Sequence, residues 1–428
     1  MTRLIIVLFA MMVSSVVGAA DENCIPCHTK ETPGAVKQWR GSAHADKVFC
    51  AGCHGEDHQA IVAGEAKVTA TVCGRCHEQQ LDEHQSSRHG MGLHSGWGCT
   101  RNMPRRDQRE CRFCHEEGSD IPVSQVHCAR FLKQSSEIGE LGCNRCHLVE
   151  SSCATCHTNH LTDGKIARDP AICAKCHMGP DHPQWEMWQS SLHGALNNSA
   201  GPDVGPDCQR CHMPAGTHNV SGGLTMTPGG VLYPPADAAK NRDFMVAICS
   251  ECHAPAFARR ELTSGDAIRE QSRAIVAQAV KIVRELNDAG LLSPSPQERP
   301  AHPLRGHELV TDSQMLYEDT SHIERLLFKM QKYDFARTVK GAYHQNPAYT
   351  HWIGNAELKM DLVDIRAEAE RLRLMGQWQA TPTGAADIKE ERETEQLLQI
   401  LRGRFERGEI DQSRYEQDKK ALLDSVLQ

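Results

Sequence analysis

Apolar positions fall into three regimes along the chain. Arg3 is followed by a largely apolar run from Leu4 to Val17, then by Gly18-Ala19-Ala20 and the acidic Asp21-Glu22. A membrane span needs about 20 apolar residues, and this run is shorter and ends in small residues, so residues 1–20 read as a cleaved export signal. From residue 21 to about 255 periodic apolar runs are scarce and glycines frequent, which predicts little regular secondary structure. Beyond Cys252 the pattern changes. Ile268, Ile275, Val276, Ala279, Ile282, Val283 and Leu286 recur at helical spacing, predicting an amphipathic helix over Ser264–Asp288 that stops at Gly290. Residues 293–303 are a Pro-rich connection. Ser313–Lys340 reads as a second long helix ending at Gly341, and Ala356–Met375 as a third. Residues 376–392 read as a linker, before two shorter helices, Thr394–Arg407 and Asp411–Leu427, divided by Gly408. The expected class is mainly α, with little regular structure in the N-terminal part and long C-terminal helices. The expected units are 1–20, 21–260, a helical domain 261–375 packing on the unit before it, the linker, and a hairpin over 393–428.

Composition says what must fill the first unit. With 428 residues, two or three domains are the prior. The 39% hydrophobic content, taken with 33 glycines, excludes a disordered chain. Aromatic residues are only 5%, so something other than Phe, Tyr and Trp must supply large flat apolar filler, as a macrocyclic cofactor would. A net charge of -8 without a basic patch argues against nucleic acid as a partner. The 20 cysteines of an exported chain would ordinarily be read as disulfides. Their spacing points elsewhere.

The pattern C-x-x-C-H occurs nine times, and its copies take up 18 of the 20 cysteines. They are Cys24, Cys27 and His28; Cys50, Cys53 and His54; Cys73, Cys76 and His77; Cys111, Cys114 and His115; Cys143, Cys146 and His147; Cys153, Cys156 and His157; Cys173, Cys176 and His177; Cys208, Cys211 and His212; and Cys249, Cys252 and His253. Two thiols three positions apart add across the two vinyl groups of a haem, and the adjacent imidazole reaches the iron. A zinc site or a redox dithiol does not require a histidine after every second cysteine. The expected cofactor is therefore covalent haem c, nine copies. Of 24 histidines, nine are proximal and 15 remain, enough to cap most irons on the second face. Such closed irons carry electrons but bind no substrate. Met178 and Met213, each directly after a proximal histidine, read as packing residues. Cys99 and Cys128 bracket the Cys111 motif and are expected to form a disulfide in an oxidising compartment, with two thiols as the alternative.

The succession CNRCHLVESSCATCHTNH, CAKCHMGPDHPQWEMWQSSLHG, CQRCHMPAGTHNV, CSECHAPAFAR and KGAYHQNPAYTHW resembles the hydroxylamine oxidoreductase family of multihaem cytochromes over roughly residues 24–375. The resemblance implies seven haems closed by two histidines and one open haem where nitrogen compounds react, commonly in a trimer. It places the open haem at Cys143, Cys146 and His147. It carries distal ligands over to His44, His58, His160, His193, His218 and His344. For the haems at Cys73 and Cys111 the nearby candidates are His84, His89, His94 and His127. Asp181 and His182 match a distal Asp-His pair, a carboxylate beside an imidazole that relays protons. The oxidising members also tie a Tyr to the catalytic haem. Here His351 falls at that place and Tyr349 two residues earlier, which favours the reductive direction, with nitrite or hydroxylamine as electron acceptor. The ninth motif, at Cys111, is an insertion relative to the family. The segment LRGRFERGEIDQSRYEQDKKALL resembles the short C-terminal helical hairpin (SHOCT-like) found on many unrelated bacterial proteins, implying self-association or tethering.

The expected protein is thus a periplasmic enzyme with a small nitrogenous substrate and a small redox protein or quinone-linked cytochrome as electron partner. The alternative is an electron-transfer cytochrome with every iron closed. Tetrathionate or sulfite chemistry is less favoured because no C-x-x-C-K motif is present. Mass spectrometry of the mature chain is expected to find nine covalent haems; eight would show that one motif, that of the Cys111 insertion first of all, goes unused.

Overall fold

The computed structural model of the chain describes residues 24–90, 149–226, 230–292 and 321–426. The signal segment, the motifs at Cys111 (Cys114, His115) and Cys143 (Cys146, His147), His94, the Cys99 and Cys128 pair and the 293–303 connection lie outside the described residues. What is described is helical, without a strand; Met226 and Leu232 form an isolated bridge.

The first part is built of short helices. Each C-x-x-C-H closes one turn, with the histidine N–H donating to the first cysteine's carbonyl at 3.0 Å for His77 and His157 and 2.9 Å for His177 and His253. One turn puts both thiols and the imidazole on the same face. Among the motif turns the one at Cys208 is capped by Asp207, which accepts from Arg210 N–H; the short helices between motifs are capped by Asp57, accepting from Gln59 and Ala60, Asp163 from Lys165, and Ser191 from Gly194. Among the described residues before 227, the buried hydrophobic side chains are Val36, Ala70, Met187 and Trp188. Four such side chains supply far too little apolar burial to hold these segments. The filler has to be something other than polypeptide.

From Pro235 on, the helices lengthen and pack on one another. The motif at Cys249 joins the Pro235–Cys249 helix to the 34-residue Pro255–Asp288 helix, which opens with Pro at its first turn and closes at Gly290, φ 68°. This helix starts nine residues earlier than its apolar pattern predicts. Its Ala279, Val283 and Leu286 meet Ile323, Leu327, Met330, Phe335 and Val339 and the stripe Leu358, Leu362, Ile365 and Ala369 of the Ala356–Gln379 helix. That stripe has the i, i+4, i+7, i+11 spacing of a helix seam.

Three sequence expectations need correction here. The second long helix is not continuous: a π turn, Met330–Asp334, interrupts it between His322–Lys329 and Phe335–Tyr343. Gly341 does not end it but lies inside it, because a Cβ there would come within 2.8 Å of Thr350 Oγ1; Gly354 likewise faces the Thr338 backbone at 2.5 Å. The two glycines let the helix lie against a second π turn, Tyr349–Asn355. Finally, most of the stretch read as a linker is helical. Pro382–Glu406 is one helix, broken from its predecessor only at Ala380-Thr381, where Thr381 caps it. Gln412–Val426 folds back on it, with Phe405 and Tyr415 stacked at 4.9 Å.

A polar knot sits within the apolar core. Lys329 Nζ donates to Asp334 Oδ2 at 2.8 Å and Asp361 Oδ1 at 2.7 Å, and Arg337 donates to Asp334 Oδ1 at 2.9 Å. Burial and the hydrogen bond to Asp334 push the Asp361 carboxyl up to about 7, against the pull of Lys329. A carboxyl raised in the fold binds protons more tightly there than in the unfolded chain. Its stabilising contribution is therefore complete below about pH 4 and is lost as pH rises through about 7. Asp361→Asn removes that loss, so the melting temperature of the variant relative to wild type is expected to climb between pH 5 and pH 8. A flat difference would show that the knot does not titrate in this window.

Candidate functional site

The seven described C-x-x-C-H histidines each face a second histidine. Ring centroids are 6.1 Å apart for His28 and His58, 6.1 Å for His54 and His160, and 6.0 Å for His77 and His44. They are 6.1 Å for His157 and His218, 6.1 Å for His177 and His89, 6.5 Å for His212 and His344, and 6.2 Å for His253 and His193. A metal–imidazole bond is about 2 Å, so two imidazoles holding one metal from opposite sides stand roughly 6 Å apart centre to centre. Ordinary ring packing spans about 4.5–7 Å, but it would not choose one particular histidine of each motif and a histidine partner seven times. These pairs fit two-faced axial ligation of haem, and the missing apolar filler around them fits its macrocycle.

Every distal ligand that the resemblance carried over is in this set. The pairing bears on what the sequence left open: His77 of the Cys73 motif faces His44, not one of its sequence neighbours, and His89 faces His177. His84 pairs with neither; it lies beside His218 and the Val149 backbone. Met178 is 54% exposed, and Gly179, at φ 95°, turns the chain immediately after it.

The environment keeps the ligands neutral and oriented. Burial pushes His177 down to about 3 and His212 to about 4, and lowers His89, His193 and His344 as well, leaving the unprotonated nitrogen that binds a metal. Nδ1 of His344 is 2.7 Å from the Lys340 carbonyl, to which it donates, so the opposite ring nitrogen is the one left to bind a metal. Nδ1 of His44 meets Thr162 Oγ1 at 2.9 Å and that of His28 meets Thr32 Oγ1 at 2.8 Å. Thr158, His160 and Thr162 all have left-handed φ, 64°, 59° and 43°. This strained loop thus carries one ligand, His160, and the side chain that orients another, His44.

Thiol neighbours order the attachment points. Cys73 lies beside Cys153 and Cys173 beside Cys208; Cys53 lies against Cys73, Cys156 against Cys173 and Cys211 against Cys249. The motifs at Cys50, Cys73, Cys153, Cys173, Cys208 and Cys249 therefore follow one another in space as a single file, an arrangement suited to carrying electrons.

A different kind of site lies just after the Cys173 motif. Trp185 N–H donates to the His177 carbonyl at 2.9 Å and Gly179 N–H to Glu186 Oε1 at 2.8 Å, pinning the loop between them. The loop presents Asp181 and His182, with Nδ1 of His182 2.8 Å from Asp181 Oδ1 and side chains 21% and 26% exposed for His182 and Asp181. The buried Asn346 ties the following helix in place by donating to the Met187 carbonyl and Ser190 Oγ, both at 2.8 Å. Three residues that sequence reading missed close around the pair. Lys332 Nζ stands 3.3 Å from Asp181 Oδ2, Lys340 Nζ donates to the Asp181 carbonyl at 2.9 Å, and Tyr333 is the phenol raised by the Asp181 charge as well as by burial. The π turn carries two of them. A widened turn leaves no apolar periodicity to read, although such turns recur at functional sites.

Burial works to raise the Asp181 carboxyl, but the His182 hydrogen bond and Lys332 hold it well below the carboxylate range. Burial lowers His182 despite Asp181, and pushes the Lys340 ammonium down to about 8. Tyr349 sits nearby on the second π turn, its N–H donating to Asn346 Oδ1 at 2.9 Å, with Arg337 and Glu186 as its charged neighbours.

A family model of multihaem cytochromes, "Seven times multi-haem cytochrome CxxCH", matches residues 46–300. The chain belongs to the multihaem c-type cytochromes and binds haem c through C-x-x-C-H motifs. It is 26% identical, over 82% of its length, to a probable nitrite reductase-hydroxylamine oxidoreductase fusion protein of Kuenenia stuttgartiensis, and spans 52% of that relative. The fold is similar to a chain of the reducing HAO-like protein complex of Kuenenia stuttgartiensis, with TM-score 0.64, 24% identity and coverage of 83% of this chain and 86% of that one. It is also similar to a hypothetical multiheme protein, with TM-score 0.61, 16% identity and coverage of 89% and 100%.

The ligand pairing is directly testable. His89→Gly is expected to convert the Cys173 haem from low spin to high spin in the electron paramagnetic resonance spectrum, whereas His84→Ala leaves the low-spin signals unchanged. The reverse pattern would reassign the ligand.

Proposed function

We propose that the protein reduces small nitrogen compounds, nitrite or hydroxylamine, at one open haem held by Cys143, Cys146 and His147, fed with electrons through the two-histidine haems. The observation that carries this reading is the Asp181–His182 contact at 2.8 Å in a chain whose seven described proximal histidines are all served by other histidines. His182 is not needed as an axial ligand and has a carboxylate holding its Nδ1.

When bound, the open haem supplies a metal site for the substrate nitrogen and a route for electrons. The chain supplies protons. Asp181, held ionised by Lys332, accepts the Nδ1–H of His182 and leaves Nε2 as the atom that takes and gives a proton. Reductions of this class consume more protons than electrons, so a relay at the site bears on rate and not only on binding. The Kuenenia relatives support the substrate class. Tyr349, with His351 at the place of the crosslinking residue, supports the reductive direction. The export signal supports a periplasmic location, the motif count nine haems, and the C-terminal hairpin a SHOCT-like role in self-association, with a trimer as the assembly. The single file of closed haems favours a second reading, a pure electron conduit; absence of any high-spin iron in the purified protein would establish it.

Asp181→Asn and His182→Ala are expected to lower kcat for nitrite and hydroxylamine reduction by roughly a hundredfold or more, with haem content and low-spin signals intact. An unchanged rate in both variants would remove the relay.

A further inference from the structure

Two buried guanidinium groups lie away from the Asp181 loop, where the helices on either side of the Cys249 motif meet Tyr343. Arg242, on the Pro235–Cys249 helix, donates from Nη2 to Asp266 Oδ1 at 2.6 Å, and its side chain is 15% exposed. Tyr343 donates its hydroxyl to the same oxygen at 2.5 Å, and the Arg242 guanidinium stands 5.9 Å from the centre of its ring. Arg269, one turn beyond Asp266 on the Pro255–Asp288 helix, is 3% exposed and donates from Nη2 to the exposed Glu270 at 2.6 Å. Nε and Nη1 of Arg269 and Nη1 of Arg242 are buried without a hydrogen-bond partner among the described residues. Arginine cannot shed its charge, so donors of this kind stay buried only where an acceptor meets them. Asp266 Oδ1 already serves two donors. The acceptor has to come from elsewhere.

We infer that Arg242 and Arg269 hold a carboxylate of the haem gripped by His212 and His344, and thereby set the reduction potential of that haem. Both guanidinium charges act on the Tyr343 phenol, and Tyr343 directly precedes His344, the histidine that faces His212. The two arginines therefore stand beside the distal ligand of the Cys208 motif. Each haem carries two carboxylates, on the edge of the macrocycle opposite its thioether carbons. The haem fastened at Cys249 turns its thioether edge to this region, because Cys249 and Tyr343 pack on the same small cluster of Val246, Ala258 and Leu262. Its carboxylates lie on the far side. A guanidinium matches a carboxylate in both charge and shape. Two of them at a haem's carboxylate offset the negative charge felt at the iron and favour the reduced state. The contact needs only haem c at the Cys208 motif and is independent of the reaction proposed above.

The haem-loaded full-length protein is titrated reductively while the low-spin paramagnetic resonance signals are followed; the signal that His344→Gly converts to high spin marks the haem in question. Arg242→Gln and Arg269→Gln are each expected to shift the reduction equilibrium of that haem roughly tenfold toward the oxidised form, about 59 mV lower for one electron. The other haems are expected to stay within about twofold. Asp266→Asn removes the anion that competes for Arg242, and is expected to shift the same haem the opposite way. This third variant decides the question even where a Gln variant does not accumulate. Unchanged potentials with a lowered melting temperature would show that the arginines only pack, and overturn the inference. So does a shift centred on another haem, or an Asp266→Asn shift of the same sign as the others. A difference between wild type and variants that appears in phosphate buffer and vanishes without phosphate also overturns it, because a solvent anion is then the occupant.

Discussion

The structure depends on an imidazole standing opposite an imidazole. Each C-x-x-C-H turn delivers one ring and two thiols to the same face, but a single turn of helix has no stability of its own. What holds it is the second histidine, brought from a distant segment, and the macrocycle that both rings grip. The part of the chain before residue 227 has so few buried apolar side chains that the ligand pairs, not a polypeptide core, determine how its segments sit. His54 with His160 and His77 with His44 each bridge segments far apart in sequence, and the strained 158–162 loop is the local cost of placing His160 and Thr162 where those bridges need them.

The C-terminal helices obey a different logic and serve the first part. Their core is ordinary apolar packing, close enough at Gly341 and Gly354 for backbones to touch. That core fixes the two π turns, and the first π turn projects Lys332 and Tyr333 toward the 177–185 loop. His344, in the same region, faces His212 of the Cys208 motif, so the helical layer supplies both a partner for a motif histidine and the lysines at Asp181. The two layers join at Asp181, which contacts Lys332 and Lys340 of the helical layer.

Much of this protein was legible in its sequence because covalent chemistry is local. Attachment of haem needs residues three and four positions apart, so the motifs declare themselves, and proximal ligands follow at once. Amphipathic periodicity likewise marked the long helices, whose Ala279, Val283 and Leu286 proved to be core residues. The carboxylate-imidazole pair was visible for the same reason, being two adjacent residues that hydrogen-bond within one loop.

What only the tertiary structure decided is everything that depends on distant segments meeting. Distal ligation is such a case: His44 precedes its partner motif and His344 follows its own by more than a hundred residues, and no spacing rule relates them. Sequence proximity left the Cys73 motif unassigned among its neighbours, whereas the structure sets His44, and neither His84 nor His89, opposite its His77. The break in the helix at Met330–Asp334, the helical character of the supposed linker, and the gathering of Lys332, Tyr333 and Lys340 at Asp181 belong with it. A periodic pattern reports which face of an element is buried, whereas the balance of charge in a pocket is set by side chains from separate elements, each unremarked until packing brings them together.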